Sequence, residues 1–156
     1  TGCTAVGIRS LNDNTTGSWN VGLGYAALGV HTTGVDNTAV GTFALDASTT
    51  GEDNTGPGYA ALRANTTGDN NTTVGMTSFL ANTTASYITS IAYQALKANT
   101  TGTANCAVAA DALLANTTGT NNTAVGNNAL TDNTTASNNS ALGYALYLQT
   151  PQALIT

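Results

Sequence analysis

The stretch LLANTTGTNNTAVG, Leu113 to Gly126, decides the fold. Its fourteen residues include three Asn, four Thr and two Gly, a composition that favours turns and local side-chain-to-backbone bonds over helices. By composition it reads as a linker. Its place along the chain says otherwise, because glycines fall at Gly7, Gly24, Gly41, Gly58 and Gly75, small residues follow at Ala92 and Ala109, and Gly126 and Gly143 close the series, each 17 residues after the last. Counted from four residues before each of these, the unit is N-T-A-V-G-x-x-A-L-x-x-N-T-T-G-x-x, clearest in the copies that begin at Asn37, Asn71, Asn105 and Asn122. The quoted stretch therefore runs from column 9 of one copy to column 5 of the next.

Each column then reads as an environment. Column 4 holds Val6, Leu23, Val40, Pro57, Val74, Ile91, Val108, Val125 and Leu142; column 9 holds Leu11, Leu28, Leu45, Leu62, Phe79, Leu96, Leu113 and Leu130. These two columns are the expected core. A unit with so few large apolar residues cannot bury itself, so copies must stack and share a core. Seventeen residues are too few for a helix-pair repeat, and the TAV segment suits a short strand ended by glycine. The fold expected is all-β: a β-solenoid, a parallel β-roll or β-helix, of about nine 17-residue coils over residues 3–147, with residues 148–156 as a tail that caps the rod or docks on another copy. At about 4.8 Å per rung, nine coils make a rod of about 43 Å. Columns 6 to 11, as in YQALKA, fit either a second strand or bend, or one helical turn. In the NTTG corner, period-two alternation puts the first Thr inward and Asn and the second Thr outward.

The totals narrow the function. The 156 residues carry 7% charged side chains and a net charge of −5, with only Arg9, Arg63 and Lys97 basic. That leaves no phosphate-neutralising patch, which argues against nucleic acid. No window approaches the roughly 20 apolar residues of a membrane span. The chain opens on Thr1 rather than Met, as a processed or partial chain would, which would put any export signal out of view. Catalysis needs a constellation of acids, bases or nucleophiles, and none stands out. His31, the lone histidine, sits in column 12, where six copies have Asn and one has Ser48, and reads as a drifted corner residue. Asp36, Glu52, Asp53 and Asp69 form an acidic stripe in columns 16 and 17 that reads as a solvated face. Neither a metal nor a cofactor is expected. Cys3 and Cys106 lie six coils and one column apart, about 29 Å in a straight solenoid, beyond disulfide reach; Cys106 reads as a small buried thiol.

Over Cys3 to Tyr147 the alternation of NTAVG, xxAL and a polar corner resembles the head repeats of trimeric autotransporter adhesins, and also the Asn/Thr-rich 17-residue repeats of phage tail-fibre and bacterial surface-fibre shafts. The resemblance implies a left-handed parallel β-roll, often trimeric, displayed outside the cell. The present unit differs in its longer coil and its added NTTG corner.

N-x-S/T sequons occur at Asn14, Asn65, Asn82, Asn99, Asn116 and Asn133 in column 12 and at Asn70, Asn71, Asn121 and Asn138 near the coil junction. They fit two readings: a glycan-coated rod, or stacked Asn amides bonding from coil to coil. Tyr25, Tyr59, Tyr93 and Tyr144 in column 6, with Trp19 in column 17, are aromatics with polar tips suited to an interface or to sugar stacking. The expectation is a non-enzymatic structural subunit of an extracellular, cell-surface or virion-surface fibre, glycan-decorated and assembling with copies of itself end to end or as a multimer. The alternative is a receptor- or carbohydrate-binding adhesin or tail-fibre shaft. Thr ladders also invite an ice-binding reading, but the NTT corner lacks an outward T-x-T pair on a flat face.

Overall fold

A computed structural model describes residues 2–147; the tail assigned to 148–156 lies outside the described residues. The chain is a parallel β-solenoid. Nine three-residue strands, β1 (Thr4–Val6), β2 (Val21–Leu23), β3 (Thr38–Val40), β4 (Thr55–Pro57), β5 (Thr72–Val74), β6 (Thr89–Ile91), β7 (Cys106–Val108), β8 (Thr123–Val125) and β9 (Ser140–Leu142), form one sheet in chain order. Each strand pairs with the next in a 17-residue register, Thr38↔Thr55 and Ala107↔Ala124 for instance. One coil of chain therefore makes one rung. The pairing thins only between β4 and β5, where Thr55↔Thr72 alone remains; Pro57 has no N–H to give to a ladder.

Columns 6 to 11 form a bend, and the described residues contain no helix. Two i→i+3 bonds make it in succession, such as Ala44 N to Gly41 O at 3.3 Å and Ser48 N to Leu45 O at 3.1 Å. The backbone enters the left-handed region at column 7 and again at column 9, with φ of 59° at Phe43 and 51° at Leu45. Such a φ costs a non-glycine residue about 1–2 kcal/mol. The inter-coil ladder offsets it, because the same residues aim their N–H groups at neighbouring coils: Phe43 N donates to Tyr25 O at 2.9 Å and Leu45 N to Ala61 O at 3.0 Å. Backbone pairing thus continues round the bend.

Column 17 is left-handed as well, from Trp19 to Asn138. Asp36, Asp53, Asn70, Asn121 and Asn138 suit it, since Asn and Asp tolerate this region best among non-glycine residues. Ala104, at φ 54° and exposed, does not. Ala104→Gly is therefore expected to stabilise the chain by about 1 kcal/mol, read as a rise in thermal midpoint.

The core differs from the expectation in three ways. First, column 4 faces outward: Val40, Val74 and Ile91 are 37–39% exposed. The middle residue of each strand faces in, and in a three-residue strand that is column 3, with Ala39, Thr73, Ser90, Ala107 and Ala124 fully buried. The interior is too narrow for a second large side chain, because column 9 already fills it with Leu28, Leu45, Leu62, Phe79, Leu96, Leu113 and Leu130. A Cβ added at Gly56 in column 3 would lie 3.3 Å from Leu45 Cδ1. Column 9 is inward as expected. Second, column 12 faces inward: Asn65, Asn82, Asn99 and Asn116 have no exposed surface, while both Thr of the corner lie outside. The corner's hydrogen bonds, not period-two alternation, decide this. Third, Cys106 is only half-buried, at the outward first position of β7; both cysteines are free.

Candidate functional site: buried amide ladders and exposed rows

Ten sequon asparagines divide according to where the coil puts them. Asn65, Asn82, Asn99 and Asn116 are wholly buried, and so is Asn71 in column 1. Asn14 and Asn133, in the first and eighth coils, are half-buried. Asn70, Asn121 and Asn138 in column 17 are exposed.

In column 12 the side-chain amide donates within its own coil, and Asn82, Asn116 and Asn133 donate to the coil before as well. Within its own coil Asn65 Nδ2 reaches Gly68 O at 2.9 Å, and Asn99, Asn116 and Asn133 make the same bond at 2.9, 3.1 and 3.0 Å. Between coils Asn82 Nδ2 reaches Asn65 Oδ1 at 2.6 Å, Asn116 reaches Asn99 at 2.7 Å and Asn133 reaches Asn116 at 3.0 Å. Column 1 runs a parallel ladder, with Asn37 and Asn54 donating to Asn20 and Asn37 at 3.1 Å each. Its Oδ1 atoms also accept the next coil's backbone N–H, as Asn37 Oδ1 does from Asn54 N at 3.0 Å.

The two ladders meet on the column 15 carbonyl. Gly119 O accepts from Asn116 Nδ2 at 3.1 Å and from Asn105 Nδ2, in column 1 of the same copy, at 2.7 Å, which uses both lone pairs. Column 15 is glycine in six coils, and a Cβ at Gly119 would meet Ala136 O and Asn116 Oδ1 too closely unless the corner shifted. Stacked amides, one of the two readings of the sequons, are thus present. An Nδ2 atom that is buried and already donates has no open path for a sugar in the folded coil, so among the ten sequons only Asn70, Asn121 and Asn138 are exposed, with Asn121 Nδ2 donating to Asn138 Oδ1 at 3.3 Å.

His31 occupies the same ladder position and imitates its neighbours: Nε2 lies 2.9 Å from Gly34 O, where an Asn would put Nδ2. The imitation is incomplete. Nδ1 is buried without a partner, as are Asn14 Oδ1 in the coil before and Ser48 Oγ in the coil after. Desolvation pushes the His31 pKa below its usual 6.5, against smaller upward contributions from the backbone at Gly34 and Ser48. A lowered base binds fewer protons folded than unfolded. Stability from this site is therefore full above the unfolded value, about 6.5, and falls as pH drops below it. His31→Asn is expected to raise the midpoint at neutral pH and to remove that slope below about pH 6.5, checked by thermal melts of both proteins at and below that pH.

Outside, column 13 threonines spend their hydroxyls on the next coil: Thr49 Oγ1 donates to Thr66 O at 3.1 Å and Thr66 Oγ1 to Thr83 O at 2.9 Å. The interface candidates Trp19, Tyr25, Tyr59, Tyr93 and Tyr144 are all exposed. Tyr25 and Tyr59 are joined by Phe43, which column statistics passed over: its ring stands edge-on to Tyr25 at 5.4 Å and to Tyr59 at 6.3 Å. Arg63 lies 4.7 Å above Phe43 and 3.7 Å from Asp46. In the acidic stripe, one Asp69 oxygen is already taken by Glu52 N at 2.8 Å. No group of three potential metal-ligating side chains occurs among the described residues. No protein-family model matches the chain, and neither a curated protein nor a solved structure is detectably similar to it.

Proposed function

We propose that the chain is a non-enzymatic structural subunit of an extracellular fibre, on a cell or virion surface, that assembles with copies of itself end to end or as a multimer. One observation carries this reading: backbone, Asn-amide and Thr-hydroxyl hydrogen bonds all link neighbouring coils in one 17-residue register, the amides donating to the coil before and the hydroxyls to the coil after. Stretching or bending the rod strains all of them together, so stiffness along the axis is the property the sequence has accumulated. The resemblance to adhesin heads and fibre shafts points the same way. Sugar, where present, is placed on Asn70, Asn121 and Asn138 or on the exposed column 14 threonines.

A second reading, a receptor- or carbohydrate-binding adhesin, is favoured by the Tyr25–Phe43–Tyr59 row with Arg63 beside it. Electron microscopy of the native material separates the two. Filaments much longer than one rod support the structural subunit; discrete rods support the adhesin. Isolated monomers at all concentrations would sink the filament.

A further inference from the structure

We infer that the outer face of the nine-stranded sheet is an ice-binding surface. This goes beyond the fibre reading and stands or falls separately from it. The inference starts from the reversal of column 4. With column 3 turned inward, columns 2 and 4 both face out, and each strand offers a T-x-V type pair: Thr38 and Val40, Thr72 and Val74, Thr89 and Ile91, Thr123 and Val125. The corner lacks such a pair; the outer face of the sheet repeats it in constant register.

Four properties of this face suit crystalline water. Its hydroxyls are free: among the described residues, those of Thr38, Thr55, Thr72, Thr89 and Thr123 bond to no protein atom, whereas column 13 threonines donate to carbonyls. The face is uncharged, with only Thr, Ser, Val, Leu, Ile, Pro and Cys at its eighteen outward positions. No strongly hydrated group therefore holds liquid water against it, and a neutral lattice meets a neutral surface. The Thr, Val and Ile that predominate are β-branched and stiff at χ1, which fixes hydroxyl and methyl ranks before contact and lowers the entropy cost of binding. Finally, the ranks are periodic. Parallel pairing in constant register repeats each side chain about every 4.8 Å along the rod, and the two outward positions of a strand lie roughly 6.6 Å apart. Hexagonal ice repeats its oxygen atoms with nearly the first period along one axis and close to the second along another.

Val21 and Cys106 interrupt the hydroxyl rank and Pro57 the aliphatic one. The run from Thr72 to Ile91 at the middle of the rod is uninterrupted and is the place to test.

The test grows ice slowly through a solution of the fluorescently labelled chain and measures how much is incorporated. Wild type is expected to enter the ice. Thr72→Lys with Thr89→Lys, which puts two mobile charges on the face, is expected to be excluded. Thr67→Lys with Thr101→Lys, the same charge change on exposed column 14 positions, is expected to enter like wild type. Circular dichroism confirms that each variant is folded; if the face pair unfolds the sheet, Thr72→Tyr alone replaces it, with the same expected exclusion. Exclusion of wild type overturns the inference, as does equal incorporation of face and control variants. Sedimentation showing that wild type pairs with a second copy through this face, together with exclusion from ice, assigns the face to self-association and also overturns it.

Discussion

Leu113→Asp is expected to destroy the rod's middle. Leu113 is fully buried, as are its column 9 counterparts Leu96 and Leu130, in a core whose other buried side chains are mostly Ala, Ser and Asn, with Ile88 the one further large aliphatic. Removing the side chain, as in Leu113→Ala, costs about 3 kcal/mol from lost burial and the cavity left behind. Putting a carboxylate there adds a desolvation cost, so Asp exceeds Ala even if the acid takes up a proton. In a solenoid each coil leans only on its neighbours, so the loss is expected to break the rod at the seventh coil rather than weaken it evenly. Circular dichroism and proteolysis check this: the Asp variant should lose most of its strand signal or be cut near residue 113. A variant that melts with wild type would show that column 9 is not the core.

Asn116→Ala is expected to cost nearly as much, about 3 to 4 kcal/mol, despite removing a polar side chain. Asn116 donates to Asn99 Oδ1 and to Gly119 O and accepts from Asn133 Nδ2. Alanine deletes three bonds and leaves buried polar atoms on both sides, each worth roughly 1–3 kcal/mol when unsatisfied. Asn116→Asp keeps the shape but turns oxygens toward Asn99 Oδ1 and Gly119 O, and is expected to be worse. Asn121→Ala, exposed in the same coil, is expected to cost only about 1 kcal/mol, from an alanine at a left-handed φ of 55°. Chemical denaturation of the three variants tests the contrast; equal midpoints for Asn116→Ala and Asn121→Ala would remove the ladder from the account.

Much of this architecture was legible from one periodicity. The 17-residue spacing of Gly7 through Gly143 gives the coil, the parallel register and the stacking of like residues, because only stacking buries one leucine per unit. What misled was the inference from hydrophobicity to burial. Val40 and Val74 are apolar and β-branched, Asn65 and Asn116 are polar, and the coil puts the valines outside and the asparagines inside. In a core this narrow, volume and hydrogen-bond accounting outrank hydropathy: Ala39 fits opposite a leucine where valine does not, and the column 15 carbonyls need amide donors that valine lacks. The candidate surfaces moved with that reversal. Asn65, Asn82, Asn99 and Asn116 became structural, Asn70, Asn121 and Asn138 remained exposed, and the outward T-x-V face came into being. Phe43 was hidden for a different reason, since one aromatic in a variable column has no repeat to betray it.

Column 12 faces inward, and its amides bond within and between coils. Hydrogen exchange of side-chain amides, followed by NMR on chain labelled with nitrogen-15 at Asn, tests it most directly. The Nδ2 protons of Asn65, Asn82, Asn99 and Asn116 are expected to exchange far more slowly than those of Asn70, Asn121 and Asn138. Uniformly fast exchange across both sets, in a chain that is otherwise folded, would contradict the ladder and with it the coil described here.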